Sequence, residues 1–248
     1  MKLIACDPII GLPRVPFEDY RPDRADLLAE MARLGVTAAI VRHRAAYEAG
    51  PVNGNRILWE ETRGWEQLWP APFVTPDGEE PAFDPSLAIA QMRAAGAKVC
   101  WTDPQAEGLS LLPWCAGPLY EVLQARRMPL LLEYDKTSAD ELYVILENFP
   151  DLRLILLNVP RLGRNRLLYP LLQRFPNLWL CLSHTYSVHQ GFEDLVRIFG
   201  PHRWVFGLGY PQAEGGAAIA GLTYARLSSE DQEAIAHGNI ERLLGEVQ

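Results

Sequence analysis

Hydrophobic residues in this chain fall into short runs that alternate with longer segments in which they recur every three or four positions. The short runs are typical of β-strands, and the longer pattern is typical of amphipathic helices. Runs such as 130–132 and 154–157 are apolar on both alternating faces, as expected of strands buried on both sides. The pattern predicts eight strands, at residues 2–7, 36–42, 69–75, 97–101, 129–134, 152–158, 178–183 and 203–208.

The segments between these runs carry residues that begin or end helices. Gly35 follows an apolar stripe and can end a helix in the left-handed conformation. Ser138 and Glu141 have the spacing of a capping box, and Ser228 precedes several acidic residues, which favour a helix N-terminus. Helices are predicted at residues 23–34, 54–64, 85–95, 117–126, 138–148, 164–174 and 192–199, and again from residue 228.

Strands and helices that alternate along the whole chain predict an α/β fold with a parallel sheet. The chain has 248 residues, and a (β/α)8 TIM barrel typically needs roughly 250. We therefore predict a single barrel domain over residues 1–248. A doubly wound open sheet is the alternative.

Charge and cysteine usage narrow the class of protein. A formal net charge of −8 leaves no basic surplus to neutralise phosphates, so neither nucleic acid nor a membrane surface is expected as a partner. The four cysteines are far apart without a C-x-x-C pair, which suits a reducing compartment. The N-terminal apolar run is too short for a signal peptide, and no stretch approaches the roughly 18 apolar residues of a membrane span. We expect a cytoplasmic protein.

In parallel barrels the chemistry lies at the carboxyl ends of the strands. The strand assignment alone therefore defines a short set of candidate positions. These positions are Asp7, Ile9, Arg42, His43, Trp101, Asp103, Glu133, Asp135, Asn158, Arg161, His184 and Tyr210.

Four segments carry a resemblance to a known family. Residues 203–211 read RWVFGLGYP, residues 237–245 read HGNIERLLG, and the turn motifs FPDL and FPNL occupy 149–152 and 175–178. Together they resemble the amidohydrolase-related family of metal-dependent hydrolases and decarboxylases, over nearly the whole chain. The resemblance implies an amidohydrolase-like TIM barrel.

The same resemblance places the metal-ligand positions of the family on Asp7, Ile9, Glu133, Asn158 and Gly209. This set contains no imidazole, and it is a poor set for zinc. We therefore expect no metal cofactor. The alternative is a hard divalent cation such as Mg²⁺ or Ca²⁺, held by the oxygens of Asp7, Glu133 and Asn158.

Asp7, Glu133 and His184 are the candidate catalytic residues. Two carboxylates that converge at the barrel mouth would repel each other, which raises one pKa and makes an acid/base couple. Alternatively, each carboxylate pairs with Arg42 or Arg161 and fills the former metal cavity. His184 suits a general base at neutral pH, or else it bonds to backbone and does no chemistry.

Candidate substrate-binding residues are Arg42, Trp101, Asn158, Arg161 and Tyr210. The two guanidinium groups could hold a carboxylate or phosphate, or pair with nearby acidic side chains. The two aromatic rings could line an apolar pocket, or pack beneath long loops.

These residues support two function hypotheses. One is a small-molecule hydrolase, lactonase or decarboxylase that works without the family metal, and therefore without Lewis-acid activation. The other is a non-catalytic barrel, a pseudoenzyme that binds a small ligand or a partner protein. A small-molecule ligand is expected, and a homodimer is compatible with the resemblance.

Overall fold

The computed structural model describes residues 1–13, 22–76, 84–163, 165–183 and 186–248. Within them, eight strands lie at the predicted positions and follow the order of an α/β barrel of the TIM type. Numbered along the chain, these strands are β1 Ile4–Ala5, β2 Ala38–His43, β3 Leu68–Pro70, β4 Cys100–Thr102, β5 Leu130–Glu133, β6 Leu154–Leu157, β7 Leu178–Leu182 and β8 Trp204–Phe206.

Hydrogen bonds join the strands into two parallel sheets. In one sheet β2 lies between β1 and β3, and the other runs from β4 through β8 in chain order. At one seam Phe73 bridges Trp101 of β4 in parallel. At the other, the Cys6 N–H donates to the Phe206 carbonyl at 2.9 Å. The ladder is thus interrupted at two seams, and isolated contacts connect the sheets there.

Most predicted helices are present, with shifted starts. The main helices are α1 Arg24–Leu34, α2 Gly50–Thr62, α3 Pro85–Ala94, α4 Pro113–Ala125, α5 Ala139–Asn148, α6 Leu168–Arg174, α7 Gly191–Phe199, α8 Gly216–Thr223, α9 Ser229–Glu233 and α10 Asn239–Gly245, with the π-helical turn Ala234–Gly238 joining the last two. None of the helices in the described residues is long and apolar enough to cross a membrane.

The predicted caps form as expected. Gly35 ends α1 with φ of 70°, a conformation that costs glycine little. Ser138 and Glu141 make both bonds of a capping box at α5, and the Ser228 hydroxyl accepts the Asp231 N–H at 3.1 Å. These ends were predictable because a cap depends only on residues close in sequence.

Two boundaries differ from the prediction because of proline. The strand expected over 69–75 is continuous only at Leu68–Pro70, and beyond it only the isolated bridge between Phe73 and Trp101 remains. Pro70 and Pro72 interrupt it, since a proline has no N–H to donate. Helix α4 begins at Pro113 rather than at residue 117, because a proline in the first helical turn has its φ already set and needs no N–H partner there.

Side chains of the strands alternate between two packed layers. One layer fills the barrel interior, and the other packs beneath the helices. Interior residues include Ile40, Trp101, Leu131, Leu157 and Cys181. Every second residue of a strand points into the interior. The last interior positions, at the carboxyl ends of the strands, are Arg42, Glu133, Ser183 and Gly207. The apolar interior therefore ends in a polar layer at the barrel mouth.

Candidate functional site

Arg42, Glu133 and Asn158 form one hydrogen-bonded network at the barrel mouth. Arg42 Nη1 donates to Glu133 Oε1 at 2.6 Å, and Asn158 Nδ2 donates to Glu133 Oε2 at 2.7 Å. Both carboxylate oxygens of Glu133 thus accept a bond from a neighbouring side chain. The ends of the adjacent strands β5 and β6 supply Glu133 and Asn158, and the end of β2 in the other sheet supplies Arg42. The network therefore crosses the mouth between the two sheets.

The Arg42 guanidinium is enclosed on several sides. Its Nη2 donates to the Asp7 carbonyl at 2.8 Å, and its central carbon lies 5.3 Å from the centroid of the Trp101 ring. Burial is the largest single influence on the Arg42 pKa and lowers it. The attraction and hydrogen bond of Glu133, together with the attraction of Tyr47 and Asp7, outweigh burial, so the pKa is raised. Arg42 is therefore a permanent buried cation, stabilised by a carboxylate and an aromatic face.

Asp7 has a different set of partners. Its carboxylate accepts the N–H groups of Leu208 and Gly209, each at 2.7 Å, and its side chain is buried. Burial raises the pKa of Asp7, while the two backbone bonds and Arg42 lower it in part and Glu133 raises it further. Asp7 thus joins the end of β1 to the loop after β8.

Two glycines allow this contact between Asp7 and the backbone. A Cβ on Gly207 would lie 2.6 Å from Asp7 Oδ2 and 2.6 Å from Cys181 Sγ, which leaves no space for a side chain. Gly209 has φ of 71°, in the left-handed region that favours glycine. The glycine at the position of the expected metal-binding residue therefore supplies a backbone N–H to Asp7.

Several buried polar atoms at the mouth have no partner among the described residues. Asn158 adopts φ of 52°, which asparagine tolerates better than most residues, and its Oδ1 lacks a hydrogen bond. Arg42 Nε and Ser183 Oγ also lack one. Buried polar groups are usually hydrogen-bonded to protein or ordered water, so these atoms carry the unused hydrogen-bonding capacity of the described part of the mouth.

An aromatic cluster borders the network on the β4 side. The Tyr47 ring lies edge-on to Trp101 with centroids 5.2 Å apart, and Phe73 lies 4.6 Å from Trp101. The Tyr47 hydroxyl donates to Asp103, and burial is the main cause of its raised pKa. Tyr47 belongs to the short helix Ala45–Glu48, which the hydrophobic pattern did not predict because it is a single turn.

The structure brings together five of the residues proposed from the sequence. These are Asp7, Arg42, Trp101, Glu133 and Asn158. Tyr210 is buried, and its carbonyl accepts the Ile9 N–H at 3.3 Å. Arg161 is exposed in the two-residue strand Arg161–Leu162, outside the network. His184 lies outside the described residues.

The expected pairing of carboxylates with arginines holds for Glu133 only. Glu133 pairs with Arg42, but the prediction of an arginine partner for the Asp7 carboxylate is wrong, since backbone N–H groups bond to both of its oxygens. Asp7 has the raised pKa expected of one member of a carboxylate pair. The first cause is burial, however, and repulsion by Glu133 is the smallest contribution.

Arg44 and Tyr47 are mouth residues that the sequence reasoning missed. Arg44 directly follows the end of β2, where the alternation of the strand would place its side chain on the interior side, and Tyr47 lies in the helical turn Ala45–Glu48 that comes next. The charge of Arg44 interacts with those of Arg42 and Glu133, so it lies near the network. In the described residues, no group of three or more His, Cys, Asp or Glu side chains is arranged to hold a metal ion.

Comparisons with known proteins identify relatives of the fold. A family profile described as Amidohydrolase matches residues 11–245, whereas no curated protein sequence matches the chain. Among solved structures, a 5-carboxyvanillate decarboxylase from Sphingomonas paucimobilis has a TM-score of 0.71 at 14% identity, covering 100% of this chain and 99% of that chain.

Two further solved structures carry bound molecules. A probable 2-pyrone-4,6-dicarboxylic acid hydrolase from Acinetobacter baumannii, with citric acid bound, has a TM-score of 0.75 at 12% identity, covering 99% of this chain and 100% of that chain. A dihydroxybenzoic acid decarboxylase from Polaromonas sp. JS666, with manganese and 2-nitroresorcinol, has a TM-score of 0.72 at 15% identity, covering 98% of this chain and 97% of that chain. Because the sequence identities are so low, the structural similarity establishes a shared fold and no more than that.

Proposed function

We propose, because this chain belongs to the amidohydrolase family, that it binds a small molecule at its barrel mouth and does so without a divalent metal. The observation that carries this proposal is that N–H groups of the protein point at the carboxylates of Asp7 and Glu133. Each carboxylate oxygen of Asp7 and of Glu133 accepts a hydrogen bond from the protein itself.

A divalent metal does not fit this donor set. A metal ion needs free lone pairs on its ligands. Each carboxylate oxygen has about two lone-pair sites, and on every oxygen of Asp7 and Glu133 one of them already accepts an N–H group. The Arg42 guanidinium adds a positive charge 2.6 Å from Glu133, which repels a cation. Ile9 and Gly209, at two other positions suggested by the family resemblance, have no side-chain donor at all.

The network supports ligand binding in place of metal binding. Arg42, Glu133 and Asn158 hold one another in position, and their remaining polar atoms, Arg42 Nε and Asn158 Oδ1, have no described partner. Groups that are fixed before a ligand arrives lose little conformational freedom on binding. Within the aromatic cluster, Tyr47 is partly exposed and can contact a small organic molecule, and the buried rings of Phe73 and Trp101 pack against it.

A metal-independent hydrolase, lactonase or decarboxylase is the second candidate. The observations that favour it are the raised pKa of the buried Asp7 and the position of Asp7 and Glu133 around Arg42, which donates to both residues. In this candidate Asp7 holds a proton, and Glu133, whose side chain is 12% exposed, accepts one from the substrate. The names of the decarboxylase and hydrolase structures that share the fold define the substrates to try first, lactones and aromatic carboxylic acids.

Elemental analysis of the purified protein tests the first proposal. We expect far less than one zinc, manganese, iron or magnesium per chain. We also expect an unfolding temperature that neither chelator nor added metal changes, since a ligand that binds only the native state raises it. A stoichiometric metal that a chelator removes with loss of stability would refute the proposal.

Turnover of a panel of lactones and carboxylic acids tests the second candidate. Activity that Glu133→Gln abolishes and Arg166→Gln leaves intact would support it, because Arg166 is exposed on a turn after β6. No turnover by the wild-type protein, or turnover that survives Glu133→Gln, would rule out the assigned residues.

A further inference from the structure

We propose that a groove on the outer face of the barrel, between helices α2 and α3, binds an amphiphile with a single alkyl chain and an anionic head group. None of the hydrogen-bonded residues at the mouth lines this groove, so it takes no part in the proposed function. The supporting observations are the size and shape of the groove, the anchors of its two walls, and the distribution of apolar and charged side chains along it.

The groove is a long concavity between two neighbouring helices. Its main part has a volume of about 770 Å³, and a section of about 370 Å³ continues it past Trp59, Arg63 and Ala95, which line both parts. The main volume lies in the range of small-molecule sites, roughly 300–1,000 Å³. Val52 and Arg63, at opposite ends of α2, are separated by about 16 Å at the helical rise of roughly 1.5 Å per residue. The groove therefore suits an extended chain.

Two separate anchors hold the walls of the groove. Asn55 of α2 bonds to the backbone of Phe73, accepting its N–H at 2.7 Å and donating to its carbonyl at 2.8 Å. Helix α3 packs against α4 instead. Because each helix is fixed by a different partner, the groove is formed before a ligand arrives, which reduces the cost of binding.

The groove combines a closed floor with accessible apolar walls. Its floor consists of almost entirely buried apolar side chains, Val74, Ile89 and Leu119. The surface available to a ligand belongs to the half-buried Trp59 and Met92, and to Val52 and Leu87 with exposures of 64% and 58%. Covering these four side chains removes apolar surface from water, which favours a hydrocarbon chain as the occupant.

The charges along the groove leave one end positive. Arg56 and Glu60 neutralise each other in an ion pair at 2.7 Å, and the Asp84 carboxylate accepts the Ser86 N–H as the cap of α3. Arg63 follows the last residue of α2, and its side chain has no bonded partner among the described residues. The negative end of the α2 dipole, about half an elementary charge, only partly offsets this full charge. An anionic head group therefore complements the Arg63 end of the groove.

Methionine methyl resonances test the inference with decanoate as the probe. The chain has four methionines, of which Met92 lines the groove, Met31 and Met128 are buried in the core, and Met1 is exposed. We expect decanoate to shift the Met92 signal, assigned with Met92→Leu, in a saturable way while the other three signals remain in place. Octanoate should bind at least about fourfold more weakly, because it buries two fewer methylene groups.

Two pairs of variants locate the alkyl chain and the head group. Ala95→Trp places a ring in the groove and should abolish the shift caused by decanoate, whereas Ala94→Trp, at the exposed neighbouring position, should retain it. Arg63→Gln should weaken decanoate binding roughly threefold, since an exposed ion pair contributes little, and should leave the binding of decanol unchanged. Arg126→Gln removes an exposed arginine that follows α4 in the same way, and should change neither affinity.

Several results would overturn the inference. A Met92 signal that decanoate leaves in place, or binding to Ala95→Trp as tight as to the wild type, would show that the groove does not hold the chain. Equal shifts of all four methionines would show general association with the protein surface instead. A Met92 signal that moves with protein concentration alone would show that a second copy covers the groove. Decanol binding as tight as that of decanoate would overturn the assignment of the head group to Arg63.

Discussion

Arg42 and Glu133 lie 91 residues apart in the sequence, and their side chains meet in a 2.6 Å hydrogen bond at the barrel mouth. The pair is almost entirely buried, with side-chain exposures of 2% and 12%. Such a pair adds little net stability compared with apolar residues, because both charges lose their hydration. Removing one partner is costly, however, because the other charge remains buried.

Glu133→Gln should therefore destabilise the fold strongly. The variant keeps the shape of the side chain but leaves the Arg42 charge without a counterion. We expect a loss of about 3 kcal/mol in the free energy of unfolding, measured by urea denaturation. The control is Glu60→Gln, which breaks an exposed pair with Arg56 and should cost less than about 1 kcal/mol. Equal effects of the two substitutions would contradict a buried, coupled pair.

Gly207→Ala tests the close contact between the loop after β8 and Asp7. The added methyl group would lie 2.6 Å from Asp7 Oδ2 and Cys181 Sγ, so the packed interior must shift. We expect a loss of roughly 1–3 kcal/mol by denaturant unfolding. Gly221→Ala in α8 is the matched control, because nothing lies within 4 Å of its Cβ, and alanine favours helix. A neutral Gly207→Ala would mean that the contact is looser than described.

The buried Asp7 carboxyl should contribute to the stability of the fold mainly at low pH, whereas most carboxylates with a lowered pKa stabilise a protein at higher pH. Burial raises its pKa in the folded protein, so folding favours the protonated form. Its contribution to stability is fully present below the unfolded-state pKa of roughly 3.9. The contribution is lost as pH rises through the higher folded-state pKa.

The measurement for Asp7 is the difference in unfolding free energy between wild type and Asp7→Asn across pH 3 to 8, a range set by roughly where carboxyl groups titrate. Taking the difference cancels the titration of the other acidic residues. We expect the advantage of wild type over the variant to decrease as pH rises. An advantage that grows with pH would show that the folded-state pKa of Asp7 is lowered instead.

The His43 imidazole should remain neutral at pH values well below those at which histidines usually become protonated. Its Nδ1 accepts the Ala45 N–H at 3.0 Å, and burial lowers its pKa to about 4. Stability linked to His43 is present above its ordinary pKa of roughly 6.5 and is lost as pH falls toward the lower folded value. Proton resonance titration of the imidazole, assigned with His43→Gln, measures this pKa, and a value near 6.5 would disprove the buried environment.

Local patterns in the sequence predicted most of the secondary structure. Strand and helix positions depend on hydrophobic periodicity, and caps such as Ser138 with Glu141 depend on residues three positions apart. The prediction of element boundaries failed in two places. Prolines shortened β3, and the single-turn helix Ala45–Glu48 is too short to show a period.

The choice of candidate residues also followed from the sequence, because carboxyl ends of barrel strands converge. Asp7, Glu133 and Asn158 could be selected in this way. Arg44 could not, since it lies one position beyond β2 and has the same local sequence appearance as an arginine in any surface loop. In the described residues its Nε is buried without a hydrogen-bond partner, which is a property of its three-dimensional surroundings.

The sequence by itself determined the α/β barrel and the kinds of side chain available at its mouth, because both follow from periodicity and from positions along each strand. Only the tertiary structure decided which groups bond to one another. Asp7 binds backbone N–H groups 201 and 202 residues away, and Glu133 binds Arg42 rather than Arg161. Such contacts depend on distances and side-chain directions across the barrel, which no local pattern in the sequence contains.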